Sequence, residues 1–306
     1  MCKLKSAIIL KDRIFMPDYD SHSKMLDELG ITDDYFNASK VFVRAELVPE
    51  NGNVFSDIDG WKLCVDQDIT PDWFDEKDCT ERMRKAVKEW ANTHIFIGQN
   101  DLKISYGENI FIKDCKNVDI CGEATVKKIC GEATVENIYG NATVKNICGK
   151  ATVKYICGEA TVEYIYDKAT VEYICGEATV EYIYDKATVE YIYDKATVKY
   201  IYGEATVKKI CGEATVENIY GNATVEYICG KATVENIYGE ATVENICGEA
   251  TDENIYGEAT VISSQYTKWS NSASLIIAGN ATFKDCYSKT IYQAGGWKLV
   301  EVKKGK

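Results

Sequence analysis

The side chains that could carry out acid–base chemistry are few. His22 and His94 supply the two imidazoles of this 306-residue chain, and His22 lies near Asp18 and Asp20 in the sequence. A carboxylate beside an imidazole can prepare it to move a proton, but catalysis also needs a nucleophile and donors for a developing negative charge. Nothing near His22 indicates such groups. We therefore predict no catalytic residue, and a protein that is not an enzyme.

Metal chemistry is poorly supported as well. The acid-rich run from Asp66 to Asp78 superficially resembles a cation site, but it lacks the glycine and the terminal glutamate that a calcium loop requires. The thirteen cysteines include no Cys-x-x-Cys pair, which argues against zinc. We expect neither a metal nor a cofactor. The acid-rich run is interpreted as a solvated loop whose acids favour the N-terminus of a following helix.

Charged and aromatic side chains recur at fixed spacing between residues 121 and 264. A nonapeptide occurs there sixteen times, and its last copy is degenerate. Its consensus is [C/Y]-[G/D]-[E/K/N]-A-T-V-[E/K]-[N/Y/K]-I. Like charges repeated along one outer face would bind a surface of opposite charge. The candidate partner-binding residues occupy the seventh position (Glu136, Glu163, Glu172, Glu181, Glu190, Glu217, Glu226, Glu235, Glu244) and the eighth position (Tyr164, Tyr173, Tyr182, Tyr191).

The spacing within each nonapeptide predicts how these side chains are positioned. Ala and Val are two residues apart and face one side of a strand, with Thr on the other side. Ile follows Val by three residues, so we expect a bend between them, and the Gly or Asp at the second position supplies another bend. Nine residues span at most ~30 Å, too little to enclose side chains. We predict a parallel β-solenoid with two nonapeptides, about eighteen residues, in each coil.

The predicted solenoid has eight coils, which at about 4.8 Å per coil extend over roughly 38 Å. Ala, Val and Ile, for example Ala124, Val126 and Ile129, are expected inside, and Thr, Glu/Lys, Tyr and Cys/Tyr outside. Asp252 replaces a core Val, which predicts either loosening or contact with water at that coil. The first position holds Cys in eight copies and Tyr in eight, so we expect free thiols rather than disulfides.

Outside the repeats we predict two smaller segments. Residues 1–110 are interpreted as a small α+β head, with a strand pair turning at Lys11 and Asp12, a strand over 41–48, a helix ended by Gly30, and a helix beginning at Asp78 or Thr80. The solenoid with its N-terminal degenerate unit covers 111–264. Residues 265–306 supply another degenerate unit and a C-terminal cap, since solenoids need atypical ends.

Charge is distributed unevenly over these segments. Residues 1–110 carry 14 Lys/Arg and 21 Asp/Glu, the repeats 12 and 23, and residues 265–306 carry 7 and 2, within a net charge of −13. An acidic surface argues against direct nucleic-acid binding, which requires clustered Lys and Arg. No stretch approaches the ~20 apolar residues of a membrane span. We expect no membrane association and a cytoplasmic location.

Two repeat families resemble parts of this sequence. The Ala-Thr-Val element resembles the core pair of pentapeptide-repeat proteins, and Ile129–Val135 resembles a hexapeptide-repeat unit. Gly-Asn-Ala-Thr units, as at Gly140 and Gly221, together with an acidic head also resemble uncharacterised proteins of bacteriophages and prophages. The first resemblance implies a solenoid, and some pentapeptide-repeat proteins imitate DNA. The last resemblance implies location in the cytoplasm of a phage host.

The sequence therefore predicts a non-enzymatic acidic binding protein whose partner is a basic protein. In its sharpest form this is a phage-encoded inhibitor, or DNA mimic, acting on a DNA-processing or defence protein of the host. The alternative is a structural phage or surface spacer, trimeric or otherwise homo-oligomeric. Ice binding through Thr and acyl transfer by a hexapeptide-type solenoid are less well supported, because the repeats contain neither a Thr-x-Thr pair nor a His.

Overall fold

The computed structural model describes residues 5–247, 250–255, 257–265, 276–277, 282–285, 290–293 and 298–299. The chain forms two compact units. The head comprises Met1–Ile97 with Gly107–Phe111, and the solenoid comprises Gly98–Tyr106 with Ile112–Lys306. The predicted combination of a small α+β region and a parallel β-solenoid is confirmed.

The head is built on a four-stranded antiparallel sheet of order β2-β1-β3-β4. Strand β1 is buried on both faces because its side chains alternate: Ala7 and Ile9 join one apolar cluster, and Ile8 and Leu10 join the other. The strand pair that turns at Lys11 is confirmed, whereas β4 was not predicted. The strands are β1 (Lys5–Leu10), β2 (Ile14–Phe15), β3 (Phe42–Val48) and β4 (Lys62–Val65).

Helices cover the two faces of this sheet. Helix α1 (His22–Leu29) ends, as predicted, at Gly30 with φ 67°, a conformation that glycine adopts without strain. Helix α2 (Tyr35–Ala38) is a single turn, and α3 (Glu76–His94) packs its apolar face on the sheet. Two 3₁₀ turns (Glu50–Gly52, Ile58–Gly60) and strand β5 (Ile95–Ile97) complete the head.

Helix α3 begins earlier than the sequence predicts. Asp75 is its N-cap and accepts a hydrogen bond from the Asp78 backbone amide, so the expected start at Asp78 or Thr80 was wrong by a turn. Met83, Val87 and Trp90 are spaced to share one face of this helix, and all three are buried against the sheet.

The solenoid consists of two parallel sheets, and each nonapeptide contributes one strand to one sheet. Sheet 1 has the order β27-β26-β24-β22-β20-β18-β16-β14-β12-β10-β8-β6, and within the solenoid unit sheet 2 has the order β28-β25-β23-β21-β19-β17-β15-β13-β11-β9-β7. The strands are β6 (Lys103–Ile104), β7 (Ile110–Lys113), β8 (Val118–Ile120), β9 (Thr125–Cys130), β10 (Thr134–Ile138), β11 (Thr143–Ile147), β12 (Thr152–Ile156), β13 (Thr161–Ile165), β14 (Thr170–Ile174), β15 (Thr179–Ile183), β16 (Thr188–Ile192), β17 (Thr197–Ile201), β18 (Thr206–Ile210), β19 (Thr215–Ile219), β20 (Thr224–Ile228), β21 (Thr233–Ile237), β22 (Thr242–Cys247), β23 (Thr251–Ile255), β24 (Thr260–Gln265), β25 (Ile276–Ile277), β26 (Thr282–Asp285), β27 (Thr290–Gln293) and β28 (Lys298–Leu299).

Strands of the repeats pair in register with the copy eighteen residues away, which confirms the predicted coil. Thr152 lies beside Thr170 and Ile156 beside Ile174, for example. The last strands, β27 and β28, pair antiparallel with β26 and β25. Of the predicted C-terminal unit and cap, only the residues of these four strands are described.

The expected corner between Val and Ile was wrong. In β14, Thr170–Ile174 is one continuous five-residue strand, although Val171 and Ile174 are both fully buried and the two residues between them are both partly exposed. The irregular step does not break the pairing because it recurs at the same place in every neighbouring strand. Each coil therefore has two strands and two corners.

The corners depend on a left-handed backbone at the second position of the nonapeptide. Gly149 has φ 71°, and a side chain there would bring its Cβ within 3.1 Å of the Gly131 amide nitrogen of the coil before. Asp167 also adopts φ 58°, which Asp tolerates better than most residues. Its carboxylate accepts a hydrogen bond from the Gly149 amide at 3.0 Å, so Asp offsets its conformational cost with a contact between coils.

The Ala, Val and Ile interior of the solenoid is as predicted, whereas the expected outward placement of the first-position cysteines was wrong for Cys121, Cys130, Cys148 and Cys175, which are buried. Ala, Val and Ile of the described repeats are at most 1% exposed, as Ala124, Val126 and Ile129 illustrate. Asp252 is aligned through its backbone with Val234 of β21, and its side chain lies outside the described residues.

Candidate interaction surfaces of the solenoid

The thirteen predicted partner-binding residues do not form one surface. Because successive nonapeptides alternate between the sheets, the candidates divide between two outer faces. Sheet 1 carries Glu136, Glu172, Glu190, Glu226, Glu244, Tyr173 and Tyr191, and sheet 2 carries Glu163, Glu181, Glu217, Glu235, Tyr164 and Tyr182.

The seventh positions form a row along each sheet, and in the first part of the solenoid each row contains both Lys and Glu. Lys145 pairs with Glu163 at 3.4 Å and Lys199 with Glu181 at 3.5 Å on sheet 2. On sheet 1 the pairs are Lys154 with Glu136 at 3.8 Å and Lys208 with Glu190 at 2.7 Å. Four of the nine predicted glutamates are thus partly neutralised by the neighbouring coil.

The remaining seventh-position rows are acidic. Glu217 and Glu235 are neighbours on sheet 2, and Glu226 and Glu244 on sheet 1. Within the part of the chain that the structure describes, none of these four lies within ion-pair distance of a basic side chain. Each of the four has a glutamate at the same position of a neighbouring strand, and paired strands are about 4.8 Å apart.

This contrast defines two regions, the central coils (residues 121–210) and the C-terminal coils (residues 211–264). The central coils contain 13 Asp/Glu and 11 Lys, a net charge of −2, whereas the C-terminal coils contain 10 Asp/Glu and one Lys, a net charge of −9. Seven Lys–Glu pairs join neighbouring central coils, and one pair, Lys231–Glu213, joins C-terminal coils in the described structure.

Third-position residues were missed as candidates. Glu213, Glu240 and Glu258 project from the corners and are exposed. The three C-terminal coils span about 14 Å at the usual strand spacing, so their charge amounts to roughly one negative charge per 1.6 Å. Duplex DNA carries one per about 1.7 Å of helix axis.

The tyrosines of the central coils are stacked on one another rather than presented singly. On sheet 1, Tyr173 stacks between Tyr155 and Tyr191, with ring centroids 4.9 and 5.3 Å away. On sheet 2, Tyr182 stacks between Tyr164 and Tyr200, at 5.1 and 5.0 Å. The predicted tyrosines therefore contribute mainly to contacts between coils.

A second tyrosine stack was not predicted as a site. First-position tyrosines follow one corner with nearly parallel rings 4.9 to 5.2 Å apart. Edge-to-face contacts tie this stack to the eighth-position tyrosines, as between Tyr182 and Tyr202. Burial raises the pKa of Tyr184 to about 12, since an ionised ring would be poorly hydrated there. The members are Tyr166, Tyr184, Tyr202, Tyr220 and Tyr238.

A groove of about 640 Å³ runs along the same corner, between the second and third positions of five turns. It contains both signs of charge: Lys150 pairs with Glu132 at 3.1 Å and Lys186 with Glu204 at 3.3 Å. The groove therefore offers no uniformly charged site. It is lined by Gly149, Lys150, Asp167, Lys168, Asp185, Lys186, Gly203, Glu204, Gly221 and Asn222.

The head does not assemble the predicted acid–base pair. The His22 ring bonds to Asp66, 44 residues away, at 3.3 Å and not to Asp18 or Asp20. Asp18 faces His94 instead, at 3.4 Å, and Asp20 accepts a hydrogen bond from the buried Lys5 ammonium at 3.1 Å. These contacts are interactions within the folded head.

Neither a metal centre nor a membrane helix is found in the described part of the chain. No three side chains of His, Cys, Asp or Glu among those residues are grouped to hold a metal ion. No helix there has both the length and the apolar character needed to cross a membrane.

The architecture defines a class of protein, the parallel β-solenoid repeat proteins. Eighteen-residue coils, in-register pairing and Ala, Val and Ile inside each coil establish that class. Comparison of the chain with protein-family models, curated proteins and solved structures found no match.

Proposed function

We propose that the chain is a non-enzymatic binding protein whose C-terminal coils bind a basic protein by imitating the charge of duplex DNA. The supporting observation is the net charge of −9 on three coils, close to the linear charge density of DNA. Glu217, Glu226, Glu235 and Glu244 are the central binding residues of this proposal. Such a surface would repel nucleic acid and attract proteins that normally bind it.

The partner class is a DNA-processing or defence protein in the cytoplasm of a phage host. Support for this comes from the resemblance of the Ala-Thr-Val units to pentapeptide-repeat proteins, and of the acidic head with its Gly-Asn-Ala-Thr units to phage and prophage proteins. The paired glutamates of the central coils have a lesser role, because neighbouring Lys side chains reduce their attraction for a basic surface.

Two matched quadruple variants test this proposal. One changes Glu217, Glu226, Glu235 and Glu244 to Gln, and the other changes Glu136, Glu163, Glu181 and Glu190 to Gln. Both reduce the negative charge by four, so they separate location from total charge. Affinity purification from host extract should recover a basic DNA-binding protein with the wild type and the central variant and lose it with the C-terminal variant. Equal recovery by both variants would disprove the proposal.

A structural spacer is the second candidate. The near-identical coils favour it, because every repeat strand pairs within its own chain and the array can be extended without changing its surface. A homo-oligomer would then associate through the outer rows. Light scattering distinguishes this from the first proposal: a stable trimer without a basic partner supports the spacer, and a monomer that binds a basic protein excludes it.

A further inference from the structure

Cysteines of neighbouring coils lie next to one another at the corners of the solenoid. The pairing of strands eighteen residues apart places the first position of each nonapeptide beside the first position of the second nonapeptide after it. The backbone bond from the Cys148 amide to the Ile129 carbonyl, for example, places Cys148 beside Cys130. Three cysteine columns result, Cys130–Cys148, Cys157–Cys175 and Cys211–Cys229–Cys247.

The geometry of these columns is compatible with disulfide formation. Paired parallel strands are about 4.8 Å apart, and cysteines joined by a disulfide have Cα atoms roughly 4.4 to 6.8 Å apart. All seven thiols of the columns are free, and none is fully exposed. Cys121 occupies the same repeat position without a cysteine neighbour, because it lies between Ser105 and Tyr139.

We propose that the adjacent cysteines of these columns are sites of reversible disulfide formation between coils, with a low-molecular-weight disulfide such as oxidised glutathione as the oxidant. The thiolate of one cysteine attacks a sulfur of the oxidant, forms a mixed disulfide and releases one reduced thiol. The neighbouring thiolate then attacks the protein sulfur of that mixed disulfide and releases the second. One disulfide of the oxidant is reduced, one protein disulfide is formed, and the two cysteine protons end on the released thiols.

The Cys130–Cys148 column should react first. A hydrogen bond from Cys130 lowers the pKa of Cys148, helped by one from Tyr166 and opposed by burial, and the same Cys130–Cys148 bond together with burial raises the pKa of Cys130. Cys148 is therefore the attacking thiolate. Burial raises the pKa of Cys157, Cys229 and Cys247, so these three thiols offer less thiolate at neutral pH.

Each disulfide would join two successive coils and would close a loop whose length is one turn of the solenoid. Such a link restricts the unfolded chain and should raise the Tm. The three-membered column can form only one disulfide at a time. Full oxidation of the columns therefore consumes six of the eleven described thiols, and Cys64, Cys79, Cys115, Cys121 and either Cys211 or Cys247 then have no disulfide to another described cysteine.

The test is equilibration of the folded full chain with oxidised glutathione, followed by acid quenching, alkylation, digestion at Glu and Lys, and mass spectrometry. We expect links 130–148 and 157–175, one link within the 211–229–247 column, and a raised Tm that dithiothreitol reverses. Links between cysteines that are not adjacent, or mixed glutathione disulfides at all three columns without links, would overturn the proposal.

Two variants use the natural alternative at this repeat position, so both should fold. Cys148→Tyr removes the partner of Cys130 and extends the tyrosine stack, and Cys130 should then form only a mixed disulfide with glutathione. Tyr139→Cys places a thiol between Cys121 and Cys157, and the new thiol should form a disulfide with one of these two neighbours. If it links to neither of them while Cys130 forms its link in the wild type, adjacency in the column is not the cause and the proposal fails.

Discussion

The central and C-terminal coils share a core and differ in their surfaces. In both regions Ala, Val and Ile are almost completely buried, and strands pair in the same register. Outside, the central coils carry both Lys and Glu, many of them paired, with stacked tyrosines, and the C-terminal coils carry Glu beside Asn. The comparison shows that three inward positions specify the coil, which leaves the outward positions free to determine what the solenoid binds.

The largest loss of stability is expected when a charge is placed in the shared core of the coils. Val180→Asp in the central coils should destabilise the solenoid by about 4 kcal/mol, because it buries a charge without a partner. Thr179→Asp, on the outer side of the same strand, should cost less than about 1 kcal/mol. Urea unfolding measures both variants.

The reciprocal change, Asp252→Val, should stabilise the C-terminal coils, since its backbone is aligned with the buried Val234. If Val180→Asp were tolerated as well as Thr179→Asp, the claim of a shared core requirement would fail.

Each stacked tyrosine of the central coils should contribute more to the stability of the solenoid than an unstacked tyrosine does. Tyr184→Ala removes stacking on Tyr166 and Tyr202 and should cost about 2 kcal/mol. Tyr227→Ala is the matched control, because Tyr227 is 47% exposed and lies between Lys209 and Asn245; it should cost about 0.5 kcal/mol. Equal costs, measured by thermal unfolding, would show that stacking is not the relevant difference.

Alkaline pH should weaken the stacked region selectively. Burial raises the pKa of Tyr184 to about 12, above the usual value of about 10. The neutral ring is favoured in the folded state, so its contribution to the stability of the fold is complete below pH 10 and is lost as the pH rises from 10 to 12. Titration of tyrosinate absorbance together with the Tm should show this loss in the wild type. A smaller loss is expected in Tyr184→Phe, whose ring stacks without ionising.

The smallest change in stability is expected from the charged residues at the seventh position. Glu190→Gln breaks the pair with Lys208, but both side chains are at least a third exposed, so the cost should be about 0.5 kcal/mol or less. Glu244→Gln should leave stability unchanged or raise it slightly, because it removes a like charge from the row of Glu226. A large loss for Glu190→Gln would make the ion pairs structural and would contradict the view that outward positions are free to vary.

The period of the repeat was enough to predict the coil, since Ala, Val and Ile recur at intervals that only a two-nonapeptide turn can bury. The ion pairs could also have been predicted from this period. Residues eighteen apart are neighbours, so the sequence alone places Lys145 beside Glu163. The sequence-based prediction treated the seventh position as one series of glutamates and therefore missed the Lys–Glu pairs. The straight path from Val to Ile could not be predicted, because it depends on identical irregular strands supporting one another.

The head was less predictable because its contacts are specific rather than repeated. The His22–Asp66 bond joins residues 44 positions apart, and no local pattern indicates it. Asp75, Asp78 and Thr80 are all good N-cap residues, and tertiary packing selects Asp75. Strand β4 and helix α2 are four residues long, too short for a periodic pattern to reveal.

The most direct test of the binding account is calorimetric titration of the full chain and the two quadruple Glu→Gln variants with poly-lysine at low salt. We predict that removing Glu217, Glu226, Glu235 and Glu244 weakens binding at least about tenfold, while removing Glu136, Glu163, Glu181 and Glu190 weakens it less than about threefold. Equal weakening by the two variants would show that binding depends on total charge and not on the acidic C-terminal coils, which would contradict the proposed binding surface.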